Sequence, residues 1–114
     1  MSAATFAAVV SLSGCRSAYV QTAIVNRTGG AVHVVEVDYP SASFGTQQIA
    51  SNQTFNYRFK VQGSGPVQIS YTGDHSDSHT ASGPTLNDGE QGTLTITLGA
   101  NGSVTWTPNL ASRK

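Results

Sequence analysis

The sequence predicts an all-β protein, a two-layer β-sandwich of about seven antiparallel strands. From Phe55 to Val61, apolar and polar side chains alternate with a period of two, which is typical of a strand with one face on a core and the other in water. Elsewhere, short runs rich in β-branched residues are separated by glycine-containing turns. After Cys15, no segment shows the 3.6-residue apolar period of a helix. Together these patterns favour stacked sheets.

The first two predicted strands run from Tyr19 to Asn26 and from Ala31 to Tyr39. Between them, Arg27 to Gly30 ends in paired glycines and predicts a turn. Within the second strand the valines change face midway, so either both faces are partly covered or a β-bulge shifts the register. Pro40 ends this strand because it lacks the amide hydrogen that a sheet needs.

A loop of small residues then leads to Thr46–Ile49, which is at most a short edge strand. The alternating strand follows, and Val67 to Tyr71 repeats its pattern after a turn rich in glycine. Several aromatic side chains have the phase expected of core residues. They are Phe55, Tyr57, Phe59, Tyr71 and Trp106.

Gly73 to Gly92 is a polar stretch with one large aliphatic residue, Leu86. It is predicted to be a long loop. Loops of this length tend to be functional or disordered. Thr93–Leu98 and Val104–Pro108 then form the last predicted hairpin.

In that hairpin, a two-residue turn at Asn101 and Gly102 would break the apolar phase of the strands. A three-residue loop, Ala100 to Gly102, instead pairs Leu98 with Val104 and Ile96 with Trp106. Gly102 then takes the left-handed position of a bulged turn. Short strands of this number and spacing indicate a sandwich that is immunoglobulin-like in general architecture, although the cysteine pair of immunoglobulin domains is absent.

Composition limits the possible partners. The chain has 114 residues, which is the size of one domain, and its single cysteine excludes an internal disulfide. Six basic residues balance six acidic ones, so no cationic surface would attract nucleic acid. Charged residues make up only 11% of the chain, against about 25% in an average soluble domain. Such uncharged polar surfaces are commoner in secreted and envelope proteins.

The amino-terminal stretch resembles a secretion signal. Ala3 to Leu12 is almost purely apolar, and it is too short to span a bilayer, which needs about 20 residues. It leads into Leu12-Ser13-Gly14-Cys15, which resembles the lipobox of bacterial lipoproteins. No lysine or arginine precedes Cys15, a departure from the usual basic start that would be explained by a start codon further upstream.

The resemblance implies that residues 1–14 are a signal peptide, that Cys15 carries a diacylglycerol group, and that residues 15–18 are a lipidated tether. Residues 19–110 would then be the β-sandwich domain and residues 111–114 a tail. Arg16 follows the cysteine where an aspartate would favour the inner membrane, so the implied address is the outer membrane, facing the periplasm. The alternative is a cytosolic domain whose apolar terminus contains a buried thiol.

One polar segment has the residue types of a metal site. Asp74, His75, Asp77 and His79 place two carboxylates and two imidazoles within six residues, and neutral imidazole suits zinc or copper. The alternative is a solvated loop, since an isolated histidine pair in a mobile loop must be ordered when it binds. No resident cofactor is expected.

The last hairpin presents a possible binding face. In the predicted register, five threonines face away from the core and could meet a glycan or another sheet; the alternative is an ordinary solvated strand face. They are Thr93, Thr95, Thr97, Thr105 and Thr107.

Catalysis is not expected, because no serine lies in a nucleophile elbow and the acidic residues are scattered through loops. Three glycosylation triplets, beginning at Asn26, Asn52 and Asn101, are interpreted as chance matches in a bacterial chain. The sequence therefore predicts a membrane-anchored envelope lipoprotein whose small domain binds a protein or cell-wall polymer. The alternatives are a periplasmic copper- or zinc-binding protein and a glycan-binding module.

Overall fold

The computed structural model describes residues 19–112, so the predicted signal peptide, Cys15 and the tether lie outside the described residues. The described chain is all-β, with one 3-10 turn at Ala100–Gly102. Eight strands form, one more than the number predicted: β1 (Val20–Asn26), β2 (Val32–Tyr39), β3 (Ala42–Ile49), β4 (Thr54–Phe59), β5 (Gly65–Thr72), β6 (Ser78–Leu86), β7 (Glu90–Leu98) and β8 (Val104–Ser112). Within this part of the chain, no helix is long and apolar enough to cross a membrane.

Two four-stranded sheets build the sandwich. Sheet A has the order β4-β1-β7-β8 and sheet B the order β3-β2-β5-β6. Neighbouring strands are antiparallel with one exception, because β1 and β7 run parallel. The prediction of a wholly antiparallel sandwich is therefore wrong for this pair. The parallel pairing is possible because the chain between β1 and β7 crosses between the sheets before it returns beside β1.

The core lies between the inner faces of the two sheets. Ile24, Leu94 and Ile96 of sheet A are fully buried, as are Val37 and Val67 of sheet B. Burying one such side chain stabilises the fold by about 1.5–3 kcal/mol.

The phase change of β2 is a β-bulge. His33 pairs with Thr72 of β5, but Glu36 pairs with Ser70, so two residues of β2 face Tyr71 alone. One of them, Val34, has a φ of 50° and is 64% exposed. The extra residue returns the following valines to the core, which confirms the bulge as the explanation of the sequence pattern.

The predicted long loop from Gly73 to Gly92 is wrong. Ser78–Leu86 forms β6 at the edge of sheet B, and Glu90 already belongs to β7. The inner face of β6 alternates like any strand, but its members are small or polar: His79, Ala81 and Gly83 are each half-buried. An apolar period of two can be recognised only where the inward residues are large and apolar. The sequence of β6 therefore does not predict a strand.

Two further boundaries differ from prediction. β3 begins at Ala42, so the loop after Pro40 is shorter than expected, although β3 does lie at a sheet edge. β8 continues through Ser112, which pairs with Glu90, so the strand extends into the predicted tail.

The predicted aromatic core is partly confirmed. Phe59 and Tyr71 are buried, while Phe55 and Trp106 are half-buried and pack against the core. Tyr57 is 41% exposed, which contradicts its assignment to the core. It lies on β4, an edge strand. There its ring stacks on the ring of Phe44, with the two centroids 4.2 Å apart.

The register of the last hairpin is confirmed. Leu98 pairs with Val104 and Ile96 with Trp106. The backbone N–H of Gly99 donates to the carbonyl of Ser103, which closes the three-residue loop, and Gly102 has a φ of 76°.

Candidate functional site

Four turns meet at one end of the sandwich. They connect β1 to β2, β3 to β4, β5 to β6 and β7 to β8, and the direction of the strands places all four at the same end. A cavity of about 310 Å³ opens between three of them, formed by residues 28–30, 73–77 and 99–102. We call it the turn cleft. Its volume is at the lower end of the range for small-molecule sites.

One wall of the turn cleft is shaped by Asn26, the last residue of β1, which is completely buried. Its Nδ2 donates to the carbonyl of Gly30 at 2.8 Å and to that of Ile49 at 2.9 Å. Its Oδ1 accepts the backbone N–H of Thr28 at 3.0 Å. Asn26 thus fixes the turn between β1 and β2 against β3. The glycosylation triplet that starts here has a structural role, since the side-chain amide is enclosed in the fold.

The opposite wall carries Asp77 and His79. The Nε2–H of His79 donates to the Asp77 carboxylate, which can only accept when ionised. This hydrogen bond is the main reason that the pKa of Asp77 is lowered, with backbone N–H groups of the same turn contributing. Asp77 therefore stays negatively charged to a lower pH than an ordinary aspartate does.

The imidazole of His79 is held between two other residues. On one side it packs on the ring of Tyr71, with centroids 5.1 Å apart. On the other side lies Gly102, where an added Cβ would be 2.5 Å from Nδ1 of His79. A residue with a side chain at position 102 would displace the ring, and the positive φ there disfavours one as well.

Tyr71 is the buried residue of the turn cleft, 3% exposed, and its phase in the sequence predicts only a core position. It lies in β5 opposite the bulge of β2. Bulges often re-aim side chains beside functional sites. The only sequence signal for this role is a hydroxyl-bearing aromatic residue two positions before the turn at Gly73.

The predicted metal ligands all line the turn cleft but do not converge. Asp74, His75 and Asp77 lie on the turn itself, and His79 is the second residue of β6, where it pairs with Tyr71. Asp77 and His79 are in contact, yet among residues 19–112 no group of three or more potential ligand side chains is close enough to hold a metal ion.

The predicted threonine face has the expected orientation. The threonines of β7 alternate with the buried residues Leu94, Ile96 and Leu98, so they lie on the outer face of sheet A. Thr95 pairs with Thr107, and Thr97 with Thr105. The five threonines carry no charge, and they lie on a different side of the molecule from the turn cleft.

Comparisons with known proteins give a likeness in fold. No family model matches the chain, and no curated protein matches it. The fold is similar to that of a protein from Eubacterium rectale whose structure was determined by NMR. The TM-score is 0.58 and the sequence identity 13%, over 78% of this chain and 86% of the other. At this identity the likeness shows the fold alone.

Proposed function

We propose that this chain is a lipid-anchored protein of the bacterial cell envelope whose β-sandwich acts by binding, without catalysis. The lipobox-like sequence that ends at Cys15 supports the anchor. The turn cleft supports binding, because it is a cavity lined by polar side chains.

The observation that carries this proposal is the position of the cleft relative to the attachment point. β1 starts at Val20, five residues after Cys15, beside Phe59 and Gly92. Five residues reach about 17 Å at most. β1 then runs seven residues, about 24 Å, towards the turn cleft. An anchor at Cys15 would hold the opposite end of the sandwich at the bilayer and present the cleft to the surroundings.

The proposed location is the outer membrane, facing the periplasm, on the strength of Arg16. Each buried methylene of an acyl chain contributes about 0.8 kcal/mol, and a stable anchor needs more than one chain. A diacylglycerol on Cys15 would meet that requirement. An immunoglobulin-like general architecture fits the same proposal, since such domains use turns clustered at one end for binding. In those domains, however, the first two strands pair in one sheet, whereas β1 and β2 lie in different sheets here.

The test of this proposal is the fate of Cys15. Membrane fractions of cells that express the chain, analysed by intact mass, should contain a form cleaved before Cys15 and carrying acyl chains. Cys15→Ser should abolish the acylated form and release the protein from membranes, whereas Ser17→Ala should change neither. A full-length chain with a free thiol that stays in the cytosol would contradict the proposal.

A further inference from the structure

The loop between β7 and β8 exposes an asparagine that is followed directly by a glycine. Asn101 lies in the 3-10 turn Ala100–Gly102, is exposed, and lines the turn cleft. Asn101 and Gly102 both have left-handed backbone angles, with φ of 60° and 76°. The side-chain amide of Asn101 is therefore open to water, next to a backbone nitrogen that no side chain of its own residue screens.

General amide chemistry gives an asparagine in this position a reaction with its own chain. A base of the solvent takes the proton from the backbone nitrogen of Gly102, which then attacks Cγ of Asn101. The new N–C bond closes a cyclic imide, the Cγ–Nδ2 bond breaks, and the leaving nitrogen takes a proton from water and departs as ammonia. A second water opens the imide and leaves an acid in place of the amide. In sum, amide and water give acid and ammonia, with no oxidant or reductant.

The residue that follows the asparagine controls this reaction. Its nitrogen must approach Cγ, which a side chain on that residue hinders, whereas glycine permits a close approach of its backbone. A nitrogen that already donates a hydrogen bond is also held back, because the bond fixes its direction and its proton. Asn101 is the one asparagine, of six in the chain, that precedes a glycine.

Three of the other asparagines are held by the fold. Asn26 is completely buried, and the backbone N–H that follows it, of Arg27, donates to the carbonyl of Leu98 at 2.8 Å. Asn56 and Asn109 lie inside β4 and β8, where pairing with a neighbouring strand keeps the backbone extended. We expect these three amides to persist.

Asn52 provides a matched comparison for Asn101. It is exposed, lies in the turn between β3 and β4, and has a φ of 65°. The next residue is Gln53, which has a side chain and whose N–H donates to a carbonyl of the same turn at 3.0 Å. The N–H that follows Asn87 likewise donates to the hydroxyl of Ser64 at 3.2 Å. Asn52 and Asn101 therefore share exposure and backbone conformation and differ in the nitrogen that would attack.

We propose that Asn101 is a site of spontaneous deamidation, and that its conversion to aspartate and isoaspartate remodels one wall of the turn cleft. Aspartate forms when the imide opens at Cγ, and it adds a negative charge to a cleft that already contains Asp74 and Asp77. Isoaspartate forms when the imide opens at the backbone carbonyl, and it lengthens the backbone of the loop by one carbon. This inference does not rest on the proposed binding function.

The two products should affect the loop differently. The backbone N–H of Gly99 donates to the carbonyl of Ser103 at 2.8 Å, which closes the loop over three residues of normal length. Gly102 lies against the imidazole of His79, where an added Cβ would be 2.5 Å from Nδ1. An extra backbone carbon does not fit this closure, so isoaspartate should move Gly102 away from His79, whereas aspartate should not.

The test uses the purified full chain carrying Cys15→Ser, so that its result does not depend on the lipid anchor. Samples are incubated at pH 6 and at pH 8 and digested, and mass spectrometry measures the fraction of each asparagine that has become an acid. Asn101 should convert first, and faster at pH 8, because the attacking nitrogen must lose its proton. Asn52 and Asn87 should keep their amides. An isoaspartyl methyltransferase should label the peptide that contains position 101.

Two variants and a peptide serve as controls. Asn101→Gln keeps an amide but lengthens the side chain, so the ring that would form is larger, and the acidic species should be lost from an isoelectric focusing gel. Asn52→Gln should leave that species in place. A synthetic peptide of residues 97–105 shows how fast the reaction runs without the fold.

Three results would overturn the inference. One is conversion of Asn52 as fast as Asn101, which would mean that the following residue does not select the site. Another is retention of the Asn101 amide in the folded chain at pH 8 while the peptide loses it, because the turn would then hold the reacting atoms apart. The third concerns the remodelling: the amide hydrogen of Gly99 should exchange faster in the isoaspartyl form than in the parent, and equal exchange would show an unchanged loop.

Discussion

At the level of single residues, Asn26 shows how one polar side chain can organise several turns. A buried amide is favourable only if its donors and acceptor are all used, and Asn26 meets this condition through the carbonyls of Gly30 and Ile49 and the backbone amide of Thr28. The hydroxyl of Thr28 also donates to its Oδ1 at 2.8 Å. No aliphatic residue of similar size could make these contacts, so position 26 requires asparagine for the turn cleft to keep its shape.

The variant Asn26→Ala should therefore be strongly destabilised. It removes the donors to the carbonyls of Gly30 and Ile49 and frees the turn at Thr28. We expect a loss of about 3 kcal/mol in the free energy of unfolding, measured by urea denaturation. Asn56→Ala, at an exposed position of β4, should change stability by less than about 0.5 kcal/mol. Equal effects of the two variants would show that the buried amide contributes little.

At the level of elements, β6 marks the limit of what the sequence predicts. Strands whose inner residues are large, such as β4 and β7, were recognisable because burial of aliphatic and aromatic side chains imposes a period of two. β6 presents Gly83 inward because the ring of Trp106, from β8 of the other sheet, occupies the space that a side chain would need. The residue that explains the small side chain at position 83 thus lies on β8, so no sequence pattern within β6 reveals this strand.

The variant Gly83→Ala tests this packing across the two sheets. An added Cβ would lie 2.5 Å from two atoms of the Trp106 ring, so the ring must move outwards. Overpacking of this kind costs about 1–3 kcal/mol. Trp106 is the single tryptophan, so its emission should shift to the red as the ring becomes more exposed. The nearby variant Ser82→Ala, at an exposed position of β6, should leave the emission unchanged. An unchanged spectrum in Gly83→Ala would contradict the close approach.

Only part of the candidate site could likewise be predicted from the sequence. The histidines and aspartates of the β5–β6 turn were recognisable as a polar cluster because they are adjacent in the sequence. Tyr71 was not, since its phase in β5 predicts only that it is buried. Its place in the turn cleft arises from the meeting of β5 with turns that are distant in the sequence, which only the folded chain brings together.

At the level of the whole molecule, the order and direction of the strands set the two ends of the sandwich apart. Every turn that follows an odd-numbered strand lies at the end of the turn cleft, and the beginning of β1 and the end of β8 lie at the opposite end. A domain with this layout can be tethered through its first residues without covering its cavity. The parallel pairing of β1 with β7 maintains this layout, because both strands lead from the end where β1 begins into turns beside the cavity.

The stability of the whole fold should fall at alkaline pH, because burial raises the pKa of both Tyr39 and Tyr71. In the unfolded chain, tyrosine loses its proton near pH 10. The folded state keeps these protons to higher pH, so the stabilisation is complete below about pH 10 and is lost as pH rises through the folded values. Urea unfolding between pH 8 and 11 should show a declining free energy, and the decline should be smaller in Tyr71→Phe. Parallel curves for the two proteins would mean that Tyr71 ionises equally in both states. The comparison cancels every other titrating group, since the two chains differ by one hydroxyl.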